Sequence, residues 1–307
     1  MTRPPFPLVW DNTMRSAFVT CPRKMHWEYM EHFKSPFPSI HLHAGGAWAK
    51  ALETTRMAYY AEEKSPIEAQ SLGLEALITE YGDFECPSHI AKSLDRMIEA
   101  FSYYWAAFPL ETDAVQPYFT KSGKPMVEFS FALPLDMERL RHPETGDPIL
   151  YAGRADMVAT YAGAVSIYDD KTTSALGDAW AKQWNRRAQF TGYAWAALAF
   201  DIPVSQIIVR GIAILKTMIK HAECITVRTP HNIAEWHEQC VRDILRAIEA
   251  WKSGYWDVNL SDACSSFGGC QFQQPCMSNN PLPWLEGQFV RKIWNPVARV
   301  EEEIISP

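Results

Sequence analysis

The chain has 307 residues, 47% of them hydrophobic and 21% charged, which suits one large domain or two small ones. A net charge of −7 and an isoelectric point near 5.7 argue against a protein that coats nucleic acid nonspecifically, while leaving room for an enzyme with a local basic groove. No apolar run reaches the length of a membrane span, and the opening MTRPPFPLVW lacks the layout of a signal peptide, so the expectation is a soluble cytoplasmic protein with no membrane partner.

In that compartment, seven cysteines point to metal ligands or buried thiols rather than disulfides. A first helix is predicted over residues 13–33, with Asp11 or Asn12 as its cap, a second over 46–63, and a third over 88–107, opened by Ser88. MVEFSFAL (126–133) then alternates, with Val127, Phe129, Phe131 and Leu133 on one face of a strand and Glu128 on the other. Strands at 149–161 and 164–171 follow, then a long helix over roughly 177–200, strands within 206–215 and 224–229, and a helix over 232–253. On that last helix Ile233, Trp236, Cys240, Ile244, Ile248 and Trp251 fall near helical spacing, while Cys86, Cys224 and Cys240 read as core. The last fifty or so residues are loop-rich and hold three cysteines. This order predicts an α/β class with a mixed α+β sheet, in a single domain over 1–307.

The most informative stretch is YDDKTT, at the end of a strand that should be buried. A two-residue turn centred on Ala162-Gly163 makes opposed residues sum to 325, so Asp156 faces Asp169, Val158 faces Ile167, and Thr160 faces Val165. Alternation puts Asp169 and Lys171 on one face and Asp170 on the other. Two bare carboxylates held side by side repel, and a hard divalent cation, Mg²⁺ or Mn²⁺, relieves the conflict. Such an ion polarises a phosphoryl oxygen and acidifies a bound water, and a neighbouring lysine stabilises charge on the phosphate. The competing reading is an ion-paired strand end, with Asp169 or Asp170 on Lys171 near solvent.

Gly153-Arg154-Ala155-Asp156 followed by Asp169-Asp170-Lys171-Thr172 resembles the signature of the PD-(D/E)xK nuclease superfamily in its RecB-like form. Gln189 and Tyr193, four apart on the next helix, resemble the Q-x-x-x-Y motif of that group. Cys21 near one end, with Cys264, Cys270 and Cys276 near the other, is similar to the iron–sulfur nucleases of the superfamily. The resemblance implies a restriction-endonuclease-like core over about 45–255. It also implies that the helix at 11–33 and residues 256–307 are stapled together by a 4Fe–4S cluster on the four thiolates. A four-cysteine structural Zn²⁺ is the alternative, and the five-residue gap between Cys264 and Cys270 is wider than the common family spacing.

The resemblance further assigns Asp156 and Asp169 to the metal, helped by Asp170 through its carbonyl. Lys171 goes to the water or the phosphate charge, and Gln189 and Tyr193 to positioning. One position departs from the pattern: Ala49 stands where the group carries a metal-binding histidine on its first core helix. Glu53, one turn further on, is the favoured substitute ligand; His41 or His43 could reach in, or the site could be slow or dead. Glu128 is a further candidate.

For the substrate, Lys182, Arg186 and Arg187 are predicted on the helix that carries Gln189, with Trp180, Trp184 and Trp195 beside them as core or as stacking platforms. Arg23, Lys24, Arg291 and Lys292 add local positive charge. The resemblance implies a DNA exonuclease acting on single strands or ends in recombination or repair, with any helicase or recombination partner on a separate chain. The rival class is a weak or inactive nuclease fold that grips DNA ends or a protein.

Overall fold

The structure is a computed structural model and describes residues 3–37, 39–260, 262–265 and 269–297. The chain divides into two units, each assembled from separated stretches. An end unit comprises Met1–Phe37, Ser130–Gly153 and Ile233–Pro307, and a central unit comprises Pro38–Phe129 and Arg154–Asn232.

The chain begins in the end unit with β1 (Val9–Asp11), α1 (Asn12–Thr20), α2 (Pro22–Met25), a π-helical turn (His26–Met30) and β2 (Phe33–Lys34). Asp11 caps α1 by accepting the Met14 N–H at 2.7 Å. The single helix expected over 13–33 is broken at Cys21, which is extended at φ −163° and ψ 112°. Pro22 explains the break, because its ring disfavours helical geometry in the residue before it and it lacks an N–H to donate.

The central unit follows with α3 (Ile40–Tyr60), α4 (Pro66–Tyr81), α5 (Leu94–Ala107), β3 (Gln116–Pro117) and β4 (Val127–Pro134). Next come β5 (Leu150–Tyr161), β6 (Ala164–Thr173), α6 (Asp178–Lys182), α7 (Ala188–Ala199), β7 (Val204–Ile214) and β8 (Ile219–Val227). The chain passes between the units inside β4 and again inside β5. It closes with α8 (Pro230–Ser253), a 3₁₀ turn (Asp262–Cys264), α9 (Gln273–Met277), α10 (Leu282–Gln288) and β9 (Val290–Arg291), which pairs antiparallel with β2.

Other helices also differ from expectation. α3 starts at Ile40, capped by Ser39, because Ala44, Ala47, Trp48, Ala51 and Leu52 are all buried and hold a helix that runs through Gly45 and Gly46. Sequence reading passed over α4, although Ser65 and Glu68 form a capping box around Pro66 at the first helical position. The helix expected to open at Ser88 opens at Ser93 instead. The long helix expected over 177–200 is two helices. Between them, buried Arg228 donates to the Trp184 carbonyl at 2.8 Å and to Thr191 Oγ1 at 2.9 Å, diverting a carbonyl from the helical ladder.

In the central unit β5 and β6 form an antiparallel hairpin, β6 and β7 run parallel with α7 between them in sequence, and β8 runs antiparallel on β7. The hairpin turn is the one expected: Ala162 and Gly163 both have positive φ, 48° and 78°, as a tight turn matched to strand twist requires. The register is also the one expected, with Val158 opposite Ile167 and Thr160 opposite Val165. One face of this sheet packs on Trp48, Ala51 and Leu52 of α3 and Met97, Phe101 and Tyr104 of α5, with Ile212 from β7. Cys240 is fully buried as expected, whereas Cys86 and Cys224 are only half-buried. Among the described residues no helix is long and apolar enough to cross a membrane.

Candidate active site

The site lies in the central unit, where β5 and β6 leave their paired stretch. The last ladder pair is Met157 with Tyr168. One step beyond, Asp156 and Asp169 come together. The Asp156 carboxylate accepts the Asp170 backbone N–H at 2.8 Å, and Asp169 forms an ion pair with Lys171. Asp169 is 1% exposed, whereas Asp156 is half-buried and the Lys171 side chain keeps about a third of its surface. The Lys171 ammonium also lies 5.9 Å from the Phe190 ring on α7.

The electrostatics are those of a site short of positive charge. Burial, reinforced by the Asp156 charge, pushes the Asp169 carboxyl up to about 7 despite Lys171. Burial also raises Asp156, against the pull of Lys171. Burial works to lower the Lys171 amine, but Asp169 and Asp156 overcome it and hold the amine above its ordinary value. Two carboxylates therefore share one ammonium.

A second acid–base pair stands alongside. Glu128 is buried, adopts φ 57° within a strand, and is ion-paired to Arg154 at 2.8 Å. Burial and then the Asp156 charge raise its carboxyl well above the ordinary range. A non-glycine residue in left-handed geometry inside a strand carries a cost of order 1–3 kcal/mol. This kink turns Glu128 out of simple alternation.

Among the described residues, no three His, Cys, Asp or Glu side chains converge closely enough to hold a metal. Asp156 and Asp169 are two, and Mg²⁺ is bound in proteins by one or two carboxylates, completed by waters and substrate phosphates. With their excess negative charge, and the Asp170 carbonyl on the same strand, the residues present fit such an ion.

The other predicted ligands are placed as follows. Glu53 is half-buried and ion-paired to Lys50 at 3.3 Å; its charge is felt at Glu128 but it does not complete a group of three. His43 bonds the Tyr81 carbonyl at 2.8 Å and stacks on Phe84, while His41 is exposed. The Asp170 carboxylate is fully engaged on the α3 side of the sheet and is no ligand; only its carbonyl remains for that role.

On α7, the Gln189 amide donates to the Tyr193 hydroxyl at 2.8 Å, so the two share a face as their spacing predicts. Lys182, Arg186 and Arg187 are exposed, but they do not share the helix of Gln189: Lys182 ends α6, and the two arginines lie in the connection. Trp180 and Trp184 are buried core residues rather than stacking platforms.

Sequence reasoning missed Arg56, Tyr104 and Arg210, which surround Tyr168 and Asp170, and it missed Lys92. Lys92 is buried and donates to Thr172, the residue after Lys171, at 2.9 Å. The one available signal for Arg56 was its position on α3, three residues past Glu53.

In the end unit, Cys21, Cys264, Cys270 and Cys276 line one cavity of about 220 Å³, together with Trp27 and Phe272. Burial raises the Cys270 thiol, and its neighbours Cys21 and Cys264 add to the effect. Arg23 donates to the Cys276 sulfur at 3.8 Å. No three of these thiols converge as ligands of a single ion would.

No curated protein matches the chain. The crystal structure of a candidate exonuclease from Eubacterium rectale is similar at 14% identity and a TM-score of 0.46, over 84% of this chain and 87% of that one. The crystal structure of SSO0001 is similar at 14% identity and a TM-score of 0.28, over 66% of this chain and 73% of that one. A sequence profile of the PD-(D/E)XK nuclease superfamily matches residues 14–277, spanning both strands of the site and all four cavity cysteines. With its mixed α/β, restriction-endonuclease-like core and this match over most of its length, the chain belongs to the PD-(D/E)XK nuclease superfamily.

Proposed function

We propose that the protein is a metal-dependent DNA exonuclease of the RecB-like group, acting on single strands or DNA ends in recombination or repair. The observation that carries this reading is the carboxylate pair, buried Asp169 and half-buried Asp156, beside the ammonium of Lys171, which is ion-paired to Asp169. Asp156, Asp169 and the Asp170 carbonyl would hold Mg²⁺ or Mn²⁺, with Glu53 as an outer candidate. When bound, such an ion polarises a phosphoryl oxygen and acidifies water.

The chain's own residues supply the rest. The Lys171 ammonium donates to the attacking water or to a non-bridging phosphate oxygen, where charge grows as the bond to phosphorus forms. The Gln189–Tyr193 pair holds the strand or the site in register. Lys182, Arg186 and Arg187, exposed around the start of α7, attract the phosphate backbone.

The four-cysteine cavity supports a 4Fe–4S cluster as the staple of the chain ends. In a cluster the thiolates bind different irons, so they stand around a cavity instead of converging on one point, as a structural zinc would require. In this reading 1–307 is one enzyme, and any helicase or recombination protein that works with it is a separate chain.

The test is cleavage of end-labelled single- and double-stranded DNA with Mg²⁺ and Mn²⁺ titrated, beside Asp169→Asn and Lys171→Met. Metal-dependent loss of label in the wild type alone supports the reading. A second reading, a nuclease fold that binds DNA without cutting it, is favoured by Ala49 at the usual ligand position. Tight DNA binding with no cleavage under either metal would establish that reading in its place.

A further inference from the structure

The middle acid of the triplet does different work from its neighbours. Alternation sends its side chain to the α3–α5 side of the sheet. There Arg56 Nη2 donates to Asp170 Oδ2 at 2.6 Å, and the hydroxyls of Tyr104 and Tyr168 both donate to Oδ1 at 2.9 Å. Arg56 Nη2 also donates to the Tyr104 hydroxyl at 2.8 Å. Arg56 is 5% and Asp170 7% exposed. Meanwhile the Asp170 backbone N–H holds Asp156 on the opposite side.

We propose that Arg56 and Asp170 are a positioning pair: by fixing the peptide at residue 170, they set where Asp156 and the Asp170 carbonyl meet the cation. The proposal rests on the nuclease reading above.

The reasoning is mechanical. A buried ion pair gains little stability over apolar side chains of similar volume. What three charge-assisted bonds to one carboxylate do provide is orientation. With the side chain locked on one face, the plane of the 170 peptide cannot turn, so its N–H stays on Asp156 and its carbonyl keeps one direction. Arg56 lies on α3 seven residues beyond Ala49, two helical turns along the same face. This helix therefore reaches the site with a guanidinium that steadies the strand, where Ala49 offers no ligand.

The experiment measures Mn²⁺ dissociation by calorimetry on metal-free protein, with melting curves in chelator. Asp170→Asn and Arg56→Met are expected to weaken Mn²⁺ binding about 10–100-fold, the usual effect of losing an outer-shell partner. They should lower kcat while KM for DNA moves less than about threefold. Tyr168→Phe, which removes one hydroxyl and little volume, should weaken Mn²⁺ by a smaller factor and keeps the test open where the charge variants do not fold. The double variant Arg56→Met with Asp170→Leu should recover melting temperature but not Mn²⁺ affinity.

Variants that melt lower yet bind Mn²⁺ as the wild type does would overturn the proposal, as would a double variant that recovers affinity along with stability. A wild type whose Mn²⁺ binding is absent, or indifferent to Asp169→Asn, would instead sink the nuclease reading itself.

Discussion

Replacing Asp169 by asparagine should abolish metal-dependent cleavage and yet stabilise the metal-free protein. Burial and Asp156 raise the Asp169 carboxyl from its ordinary 3.8 to about 7 with Lys171 already in place. That rise corresponds to about 4 kcal/mol of destabilisation once the group is ionised. The sign follows from proton linkage. Between about pH 4 and pH 7 the folded protein keeps a proton that the unfolded chain has lost, so stability falls as pH rises through this window and levels above it. Asparagine has the shape of aspartate without the charge, so its curve lacks this slope. Its amide must still find partners, and only part of the penalty is recovered, about 1–3 kcal/mol. In a domain of this size that is roughly 2–10 °C in melting temperature. The assay is a set of melting curves in chelator from pH 4.5 to pH 8.5. The two proteins should agree at the acid end, separate progressively up to about pH 7 and stay apart above it, with the variant higher. Added Mn²⁺ at about 100 times its Kd should lift the wild type by about 2.7 kcal/mol and leave the variant unmoved. Parallel curves, or a variant that melts lower at pH 8, would refute the electrostatic account of the site.

The same linkage predicts that Mn²⁺ affinity falls about tenfold per pH unit below 7, because Asp169 must release its proton to bind the ion; calorimetry across pH 5.5–8 measures the slope. Lys171→Met should cost about 10²–10³ in kcat. It should also move the pH midpoint of metal binding upward, since Asp169 loses the ammonium paired with it. Lys92 is buried, is lowered by desolvation, and has no carboxylate at ion-pair distance among the described residues, so Lys92→Met should stabilise the protein by about 1 kcal/mol at neutral pH. A loss of stability there would mean that the bond to Thr172 outweighs the cost of burying the amine. Iron and sulfide analysis of anaerobically purified protein should find about four of each per chain, and Cys270→Ser should lower both.

The hairpin that carries the site was legible because its cues are local. Ala162-Gly163 dictates a turn, the turn dictates a register, and the register brings Asp156 to Asp169. The helix ends were less legible, for two different reasons. Pro22 and the capping box at Ser65–Glu68 are sequence signals that hydrophobic periodicity alone passes over. The break between α6 and α7 has no local cue. It depends on Arg228, more than forty residues away in sequence, reaching the Trp184 carbonyl. A window confined to 177–200 cannot contain that cause.

The site divides along the same line. Side chains that one strand pair determines, Asp156, Asp169 and Lys171, could be assigned from spacing. Those brought in by α3 and α5 could not, because helix-to-sheet packing sets which turn meets which strand. This is why Asp170 reads in sequence as a spare ligand. Its true environment consists of Arg56, 114 residues before it, and two tyrosine hydroxyls. The triplet therefore joins two functions that alternation keeps apart. In the proposed mechanism Asp169 and Lys171 face the chemistry, while the acid between them faces the fold and is bonded to Arg56 of α3. A substitution at Asp170 should then resemble a defect in metal binding more than a loss of a catalytic group, although it sits between the two residues to which the proposed mechanism assigns the chemistry.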